Sequence, residues 1–525
     1  MSIGVSLSSA LEADERYRSA LDALVADSAA SRIFGFDATL WGEAAEAEAR
    51  IRLGWTDIAP AAADLVPAIE RLRGEFAARG IDRIVLCGMG GSSLAPAVIT
   101  RRARVELTML DSTHPAAVAR ALEGDLARTA VVVSSKSGST IETRSHLALF
   151  EHAFREAGLV PGEHVVIVTD PGSPLDQESR EAGRIVFNAD PDVGGRFSAL
   201  TAFGLVPSGL AGVDIAALVN EAVAVRAGLS ENSASNPALR LAAALAAGLP
   251  DQYILAVRQA ADADWALGAW IEQLIAESTG KEGHGVLPVS LTDAAPELGA
   301  NAPANVLSAT VSADTAVDAA DSGTAIAVGG PLGAHFLLWE TATAALGRLM
   351  GIDPFNQPDV EAAKVAARAA LAAAAGAGAQ QDAQVEPVPT GAELVERLRE
   401  ALPENGYLAI HAYLDPHAPH AEVLRGLRDR LAAALGAPVA LGWGPSFLHS
   451  TGQLHKGGPR VGVYLQFTDA HPGSLEIPGQ GSTFEALIAA QARGDRDVLV
   501  ERGRPVITVA CDDPEAVLSS LAAAI

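Results

Sequence analysis

The sequence predicts an α/β fold in which two doubly wound parallel sheets follow a helical N-terminal segment and precede a further α/β region. Three observations carry that expectation. Short apolar runs recur along the chain, and several end in loops rich in glycine or serine. Segments of helical periodicity follow many of those loops. Aromatic residues make up only 5% of the chain while alanine is abundant, which suits helices packed closely on a sheet. A run that is apolar at successive positions belongs to a strand covered on both faces, as parallel strands are.

In chain order, residues 1–60 read as helices joined by polar loops. Ala61 to Arg79 is amphipathic, with Leu65, Ile69, Leu72 and Phe76 at helical spacing. Strands are expected at Arg83 to Cys87, Val105 to Leu110, Thr129 to Val133, His164 to Thr169 and Arg184 to Phe187, with helices from Pro96 and over Ile141 to Glu156. A second alternation places strands at Gln252 to Val257, Val286 to Val289 and Thr324 to Val328, and helices near Ala261 to Ala276 and Ala334 to Met350. Val365 to Pro389 is rich in Ala, Gly, Gln and Asp, and reads as a helix end followed by a linker. A third alternation closes the chain, with strands at Tyr407 to Tyr413, Val439 to Trp443, Val461 to Phe467 and Val506 to Val509. The expected organisation is a helical segment over 1–60, α/β domains over 61–205 and 206–370, a linker over 371–392 and an α/β region over 393–525.

Composition narrows the function. The 525 residues carry 38 Lys and Arg against 64 Asp and Glu, a net charge of −26. So acidic a chain is expected to bind no nucleic acid. It leaves room for a small anionic substrate, which local cations and backbone N–H groups would hold. Cys87 and Cys511 sit in apolar, strand-like runs and read as reduced core residues. No apolar stretch is long enough to span a membrane, and no signal peptide is visible, so the expectation is a cytoplasmic protein.

Five segments stand out. Gly88-Met89-Gly90-Gly91-Ser92-Ser93 lies between a strand and a helix, where glycines let backbone N–H groups approach an anion. A dinucleotide-binding turn or a plain connection is the alternative, although Ser93 stands where a third glycine or alanine belongs. Ser134 to Thr143 also joins a strand to a helix. It offers the hydroxyls of Ser135, Ser137 and Thr140 and the ammonium of Lys136. It lacks the ending of a nucleotide P-loop, so a single phosphate monoester suits it better than a triphosphate. A capped helix start is the bland reading. Gly194-Gly195-Arg196 is a turn that presents a guanidinium to an oxyanion or forms a structural ion pair. Gln273 and Glu277 share a face near a helix end stopped at Gly280; Glu277 is a candidate general base, or an ordinary surface carboxylate. The glycine-rich stretch Leu448 to Pro459 carries His449, Gln453, His455 and Lys456. It fits proton transfer or anion binding, or a solvated loop, and no third ligand completes a metal pattern.

These segments, in this order, resemble glucose-6-phosphate isomerases. Phe355-Asn356-Gln357-Pro358-Asp359-Val360-Glu361-Ala362-Ala363-Lys364 adds a second signature of that family. The resemblance runs from about residue 60 to 370 and more loosely to about 510. Its C-terminal part is most similar to isomerases fused to a transaldolase, without a transaldolase here. The resemblance implies two sugar-isomerase (SIS, flavodoxin-like) domains, a homodimer, no cofactor, and interconversion of glucose 6-phosphate and fructose 6-phosphate through a cis-enediolate. It implies Glu277 as base and Arg196 as enediolate stabiliser. Gly91, Ser92, Ser135, Lys136, Ser137, Thr140, Gln273 and Gln453 would hold substrate. The family opens the sugar ring with a histidine from the neighbouring subunit, placed between the base motif and the second signature. Here that interval holds only His284 and His335, neither in the expected context. Ser450-Thr451-Gly452-Gln453 followed by Lys456 resembles the family's stretch before its C-terminal lysine, so the resemblance implies Lys456 in that role, and His455 is expected in ring opening. Activity also on mannose 6-phosphate, non-catalytic sugar-phosphate sensing and a dinucleotide-dependent oxidoreductase are the rival readings.

Overall fold

The computed structural model describes residues 2–263, 265–359 and 388–525. The last part of the second signature, from Val360 on, and most of the expected linker lie outside the described residues.

The first sheet has the order Thr108–Leu110, Arg83–Gly88, Thr129–Ser134, Val165–Thr169, Ile185–Asn188, all parallel. The alternation of side chains explains its unbroken apolar runs. Leu86, Val132, Val166 and Val168 join one core cluster. Val85, Cys87, Val131, Val133, Val165 and Ile167 join another on the opposite face. Ala95, Val98 and Ile99 of the helix Leu94–Ala103 cover the first face, and Leu147, Phe150 and Phe154 of Ile141–Glu156 cover the second. Arg83–Gly88 and Thr129–Ser134 are neighbours although a strand intervenes in sequence. Their connections therefore leave in opposite directions and open a crevice at the strand ends, the usual binding place in such sheets.

The second sheet has the order Gly4–Leu7, Ile326–Gly329, Val306–Ser312, Ile254–Gln259, Leu287–Leu291. It differs from the expectation in two strands. Gly4–Leu7 lies in the segment read as helical and pairs antiparallel with Ile326–Gly329. Val306–Ser312 was not expected, yet it is central and parallel to both neighbours. The third sheet, Val439–Trp443, Tyr407–Tyr413, Gly462–Asp469, Val506–Cys511, is wholly parallel. It meets the second sheet through a shared cluster in which Ile254, Ala256, Leu287 and Val289 pack with Tyr407, Ala409 and Tyr464. Cys87 and Cys511 are buried and unpaired. No helix among the described residues is long and apolar enough to cross a membrane.

The helix Leu332–Met350 is buried along nearly its whole length and encloses Glu340, whose Oε1 has no hydrogen-bond partner. Burial holds this carboxyl well above its ordinary range, so it is protonated in the fold. The folded state then binds more protons than the unfolded chain once pH rises past the ordinary carboxylate pKa, and stability falls with rising pH. Glu340→Leu is expected to remove that slope and to stabilise the protein by about 1–3 kcal/mol at neutral pH, measured by thermal and denaturant unfolding between pH 5 and 8.

Candidate active site

The two loops read from sequence as anion-binding candidates both lie at the crevice. Gly90–Ser92 is a 3-10 turn after the strand Arg83–Gly88, and Gly90 has a φ of +55°. A side chain there would strike the His449 carbonyl oxygen at 2.5 Å. Gly91 lies closer still to a neighbour: a Cβ would stand 2.0 Å from the Gly195 carbonyl oxygen. Ser92 is half-buried at the end of this turn. In the second loop the Ser135 hydroxyl donates to Thr140 Oγ1 at 3.0 Å, and the Ser137 and Ser139 hydroxyls lie 3.0 Å apart. The helix Ile141–Glu156 begins here, adding its N-terminal dipole. The Lys136 ammonium meets Asp170 Oδ2 at 2.8 Å and the Pro191 carbonyl at 3.3 Å, so its charge is offset by a carboxylate.

Arg196 is 3% exposed at the turn Gly195–Phe197. Phe197 anchors that turn by stacking on Trp55, ring centroids 5.2 Å apart. The guanidinium donates to Ser278 Oγ at 2.7 Å, Gln357 Oε1 at 2.9 Å and the Pro354 carbonyl at 2.6 Å. Burial lowers its pKa, a shift opposed by Glu277. Glu277, 8% exposed on the helix Leu267–Thr279, places Oε1 3.3 Å from Arg196 Nη1 and accepts from Gln273 Nε2 at 3.2 Å through Oε2. The same Gln273 nitrogen donates to the His449 carbonyl at 2.7 Å. Lys281 carries no local signal in the sequence that marks it as a site residue. Its ammonium donates to the carbonyls of Asp353 and Asn356 and to Asn356 Oδ1 at 2.6–2.8 Å, fixing the second signature beside Arg196. Burial lowers its pKa to about 7.

In the C-terminal loop three of the expected site residues, His455, Lys456 and Gln453, are held by protein partners. His455 is 2% exposed, stacks on Tyr407 and is hydrogen-bonded through Nδ1 to the Tyr407 hydroxyl at 3.0 Å. Burial, then His411 and Lys456, hold its pKa well below the ordinary value, which makes it a weak base. Lys456 donates to Asp495 Oδ1 at 2.6 Å, with both side chains at most 1% exposed. Gln453 bonds the Gly280 carbonyl at 2.9 Å, Asp359 Oδ2 at 2.6 Å and the Asp359 N–H at 2.9 Å. These three residues brace the loop against the third sheet, the helix Phe484–Glu501 and the second signature. The residue of this loop beside the crevice is His449. Its Nε2 lies 3.1 Å from Oε1 of Glu142, in the first turn of the helix Ile141–Glu156. Local sequence could not reveal this pairing, which joins residues 307 apart. No group of three or more His, Cys, Asp or Glu residues among those described stands close enough to hold a metal ion.

Gly91 offers a test of the geometry. Gly91→Ala is expected to push the Gly195–Arg196 turn away from Glu277 and to lower kcat/KM about 100-fold. Gly228→Ala, whose Cβ would meet nothing within 4 Å on the helix Ile215–Leu229, serves as control.

No family model matches the chain. Over 209 residues it is 36% identical to a glucose-6-phosphate isomerase of Synechococcus sp. (strain JA-3-3Ab), covering 37% of this chain and 39% of that one. Over 220 residues it is 34% identical to the chloroplastic glucose-6-phosphate isomerase 1 of Arabidopsis thaliana, covering 38% of this chain and 35% of that one. Over these stretches the chain is similar to glucose-6-phosphate isomerases. It spans about two-fifths of the length of the curated glucose-6-phosphate isomerases it matches. Two solved structures share the fold. One is a hypothetical protein from Thermus thermophilus, with a TM-score of 0.56 and 24% identity, covering 68% of this chain and 99% of that one. The other is a glucose-6-phosphate isomerase from Chlamydia trachomatis, with a TM-score of 0.53 and 22% identity, covering 61% and 75%.

Proposed function

We propose that this protein is an aldose–ketose isomerase that interconverts glucose 6-phosphate and fructose 6-phosphate. The observation that carries the reading is the buried pair of Glu277 and Arg196, 3.3 Å apart and joined by the Gly91–Gly195 contact to the anion-binding loops. A pure sugar-phosphate sensor needs no base beside a fixed guanidinium.

The hydroxyls of Ser135, Ser137 and Thr140, the Ser92 turn and the helix N-terminus hold the phosphate. That remote grip supplies binding energy that orients C1 and C2. Glu277 then carries a proton between C2 and C1. Arg196 stabilises the charge on the cis-enediolate, and burial strengthens that interaction. The proton returns to the adjacent carbon, so the reaction has no net redox change and needs no redox cofactor.

The test is a coupled assay of glucose 6-phosphate formation from fructose 6-phosphate on the purified full chain, with mannose 6-phosphate formation measured in parallel. Saturable turnover is the expected result. Tight binding of fructose 6-phosphate without turnover would overturn the reading in favour of a sensor.

A further inference from the structure

We infer that His449, through Nδ1, opens the sugar ring before isomerisation, with Glu142 as its positioning carboxylate; the inference rests on the isomerase reading above. Four observations lead to it.

First, His449 is tied to the reacting groups. Its carbonyl accepts from the same Gln273 amide nitrogen that donates to Glu277, and that carbonyl and the His449 Cβ lie against Gly90. Second, the ring is oriented. Glu142 Oε1 receives His449 Nε2 at 3.1 Å and Gln491 Nε2 at 2.7 Å, and Gln491 Oε1 is in turn held by the Thr113 hydroxyl at 2.6 Å. Burial alone would raise the Glu142 carboxyl, but His449 outweighs it and the net shift is downward, so Glu142 is ionised. A carboxylate there fixes the tautomer with the proton on Nε2 and leaves a lone pair on Nδ1. Third, Nδ1 of His449 has no protein partner among the described residues, and it is not sealed from solvent as the unpartnered Nδ1 atoms of His146 and His335 are. The side chain is 14% exposed. Fourth, the other histidine of the loop, His455, gives its Nδ1 to Tyr407 within an aromatic cluster.

The step balances within the sugar. Nδ1 accepts the proton of the anomeric hydroxyl, C1=O1 forms as the C1–O5 bond breaks, and the imidazolium returns the same proton to O5. Both oxygens are bonded to C1, so one imidazole reaches them in turn. The open-chain aldehyde then passes to Glu277. The histidine belongs to the same chain as the base, so this step needs no residue from a second subunit.

Ring opening is measured apart from isomerisation as the exchange between the α and β anomers of glucose 6-phosphate, followed by NMR. Glu277→Gln is expected to lose isomerisation but still accelerate anomer exchange. Adding His449→Asn is expected to lower the catalysed exchange at least about 100-fold, while an acyclic hexitol 6-phosphate binds within about 3-fold of the parent. Exchange that survives the His449 change overturns the assignment. So does loss of hexitol phosphate binding together with exchange, which marks a structural role. Failure of Glu277→Gln to accelerate exchange, with wild-type isomerisation intact, also overturns the assignment but leaves the isomerase reading standing. Absence of wild-type isomerisation fails the isomerase reading itself.

Discussion

Glu277→Gln is expected to lower kcat for isomerisation about 1,000-fold, near 4 kcal/mol of barrier, while hexose 6-phosphate binding changes less than about 3-fold. The substitution keeps the volume and removes the proton-accepting oxygen. The new amide oxygen can still accept from Gln273 Nε2, which also keeps its bond to the His449 carbonyl. Glu277 lies 3.3 Å from Arg196, which keeps its bonds to Ser278, Gln357 and Pro354 in the variant. The Ser135–Thr140 loop precedes a different helix, Ile141–Glu156, and is untouched. The loss should therefore fall on kcat and not on affinity. Steady-state kinetics and calorimetric titration with fructose 6-phosphate check the two halves separately. A kcat within 10-fold of wild type would remove Glu277 from the chemistry.

Much of this arrangement was legible in the sequence because the first sheet advertises itself. Val131-Val132-Val133 and Val165-Val166-Ile167-Val168 are buried on both faces, so no polar residue interrupts them. Val306–Ser312 is hard to read because Ser308, Thr310 and Ser312 interrupt its apolar pattern. Each is satisfied by tertiary bonds: Ser308 Oγ accepts from the Ala325 N–H, Thr310 Oγ1 from the Thr324 hydroxyl, and the Ser312 hydroxyl donates to Asp262. Such partners are invisible to a local pattern. Gly4–Leu7 is hidden for the same reason, since its strand exists through pairing with residues more than 300 positions away. In the site, loop chemistry was readable because turns and helix starts have local rules. The faces of the six-residue helix Gly452–Gly457 were not. His455 turns toward the third sheet and Lys456 toward the helix Phe484–Glu501, and His449, outside Gly452–Gly457, takes the position beside Glu142.

Asp495→Asn is expected to destabilise the protein by about 3–5 kcal/mol, seen as a lower unfolding midpoint. Asp495 is fully buried and accepts from Lys456 Nζ at 2.6 Å and His411 Nδ1 at 3.1 Å. Burial alone would raise its carboxyl; Lys456 and then His411 outweigh that and hold it below the ordinary carboxylate range. A depressed folded pKa contributes stability above the unfolded pKa, near 3.9, and loses it as pH falls through the folded value. The acid side of the wild-type stability profile should therefore fall below about pH 4, and the part due to this carboxyl should vanish in Asp495→Asn. The large cost at neutral pH has another source: the variant leaves the Lys456 ammonium buried without a counter-charge. Lys456→Met combined with Asp495→Leu removes both charges and should recover most of the loss. If the double variant is as unstable as the single one, packing and not the unpaired charge sets the cost. The activity of that double variant separates bracing from chemistry at Lys456. The backbone of Lys456 is independently held, its carbonyl accepting from Arg502 at 3.1 Å and Arg504 at 2.9 Å. With the helix so tethered, His449 keeps its place, and isomerisation within about 10-fold of wild type would assign the ammonium to the fold.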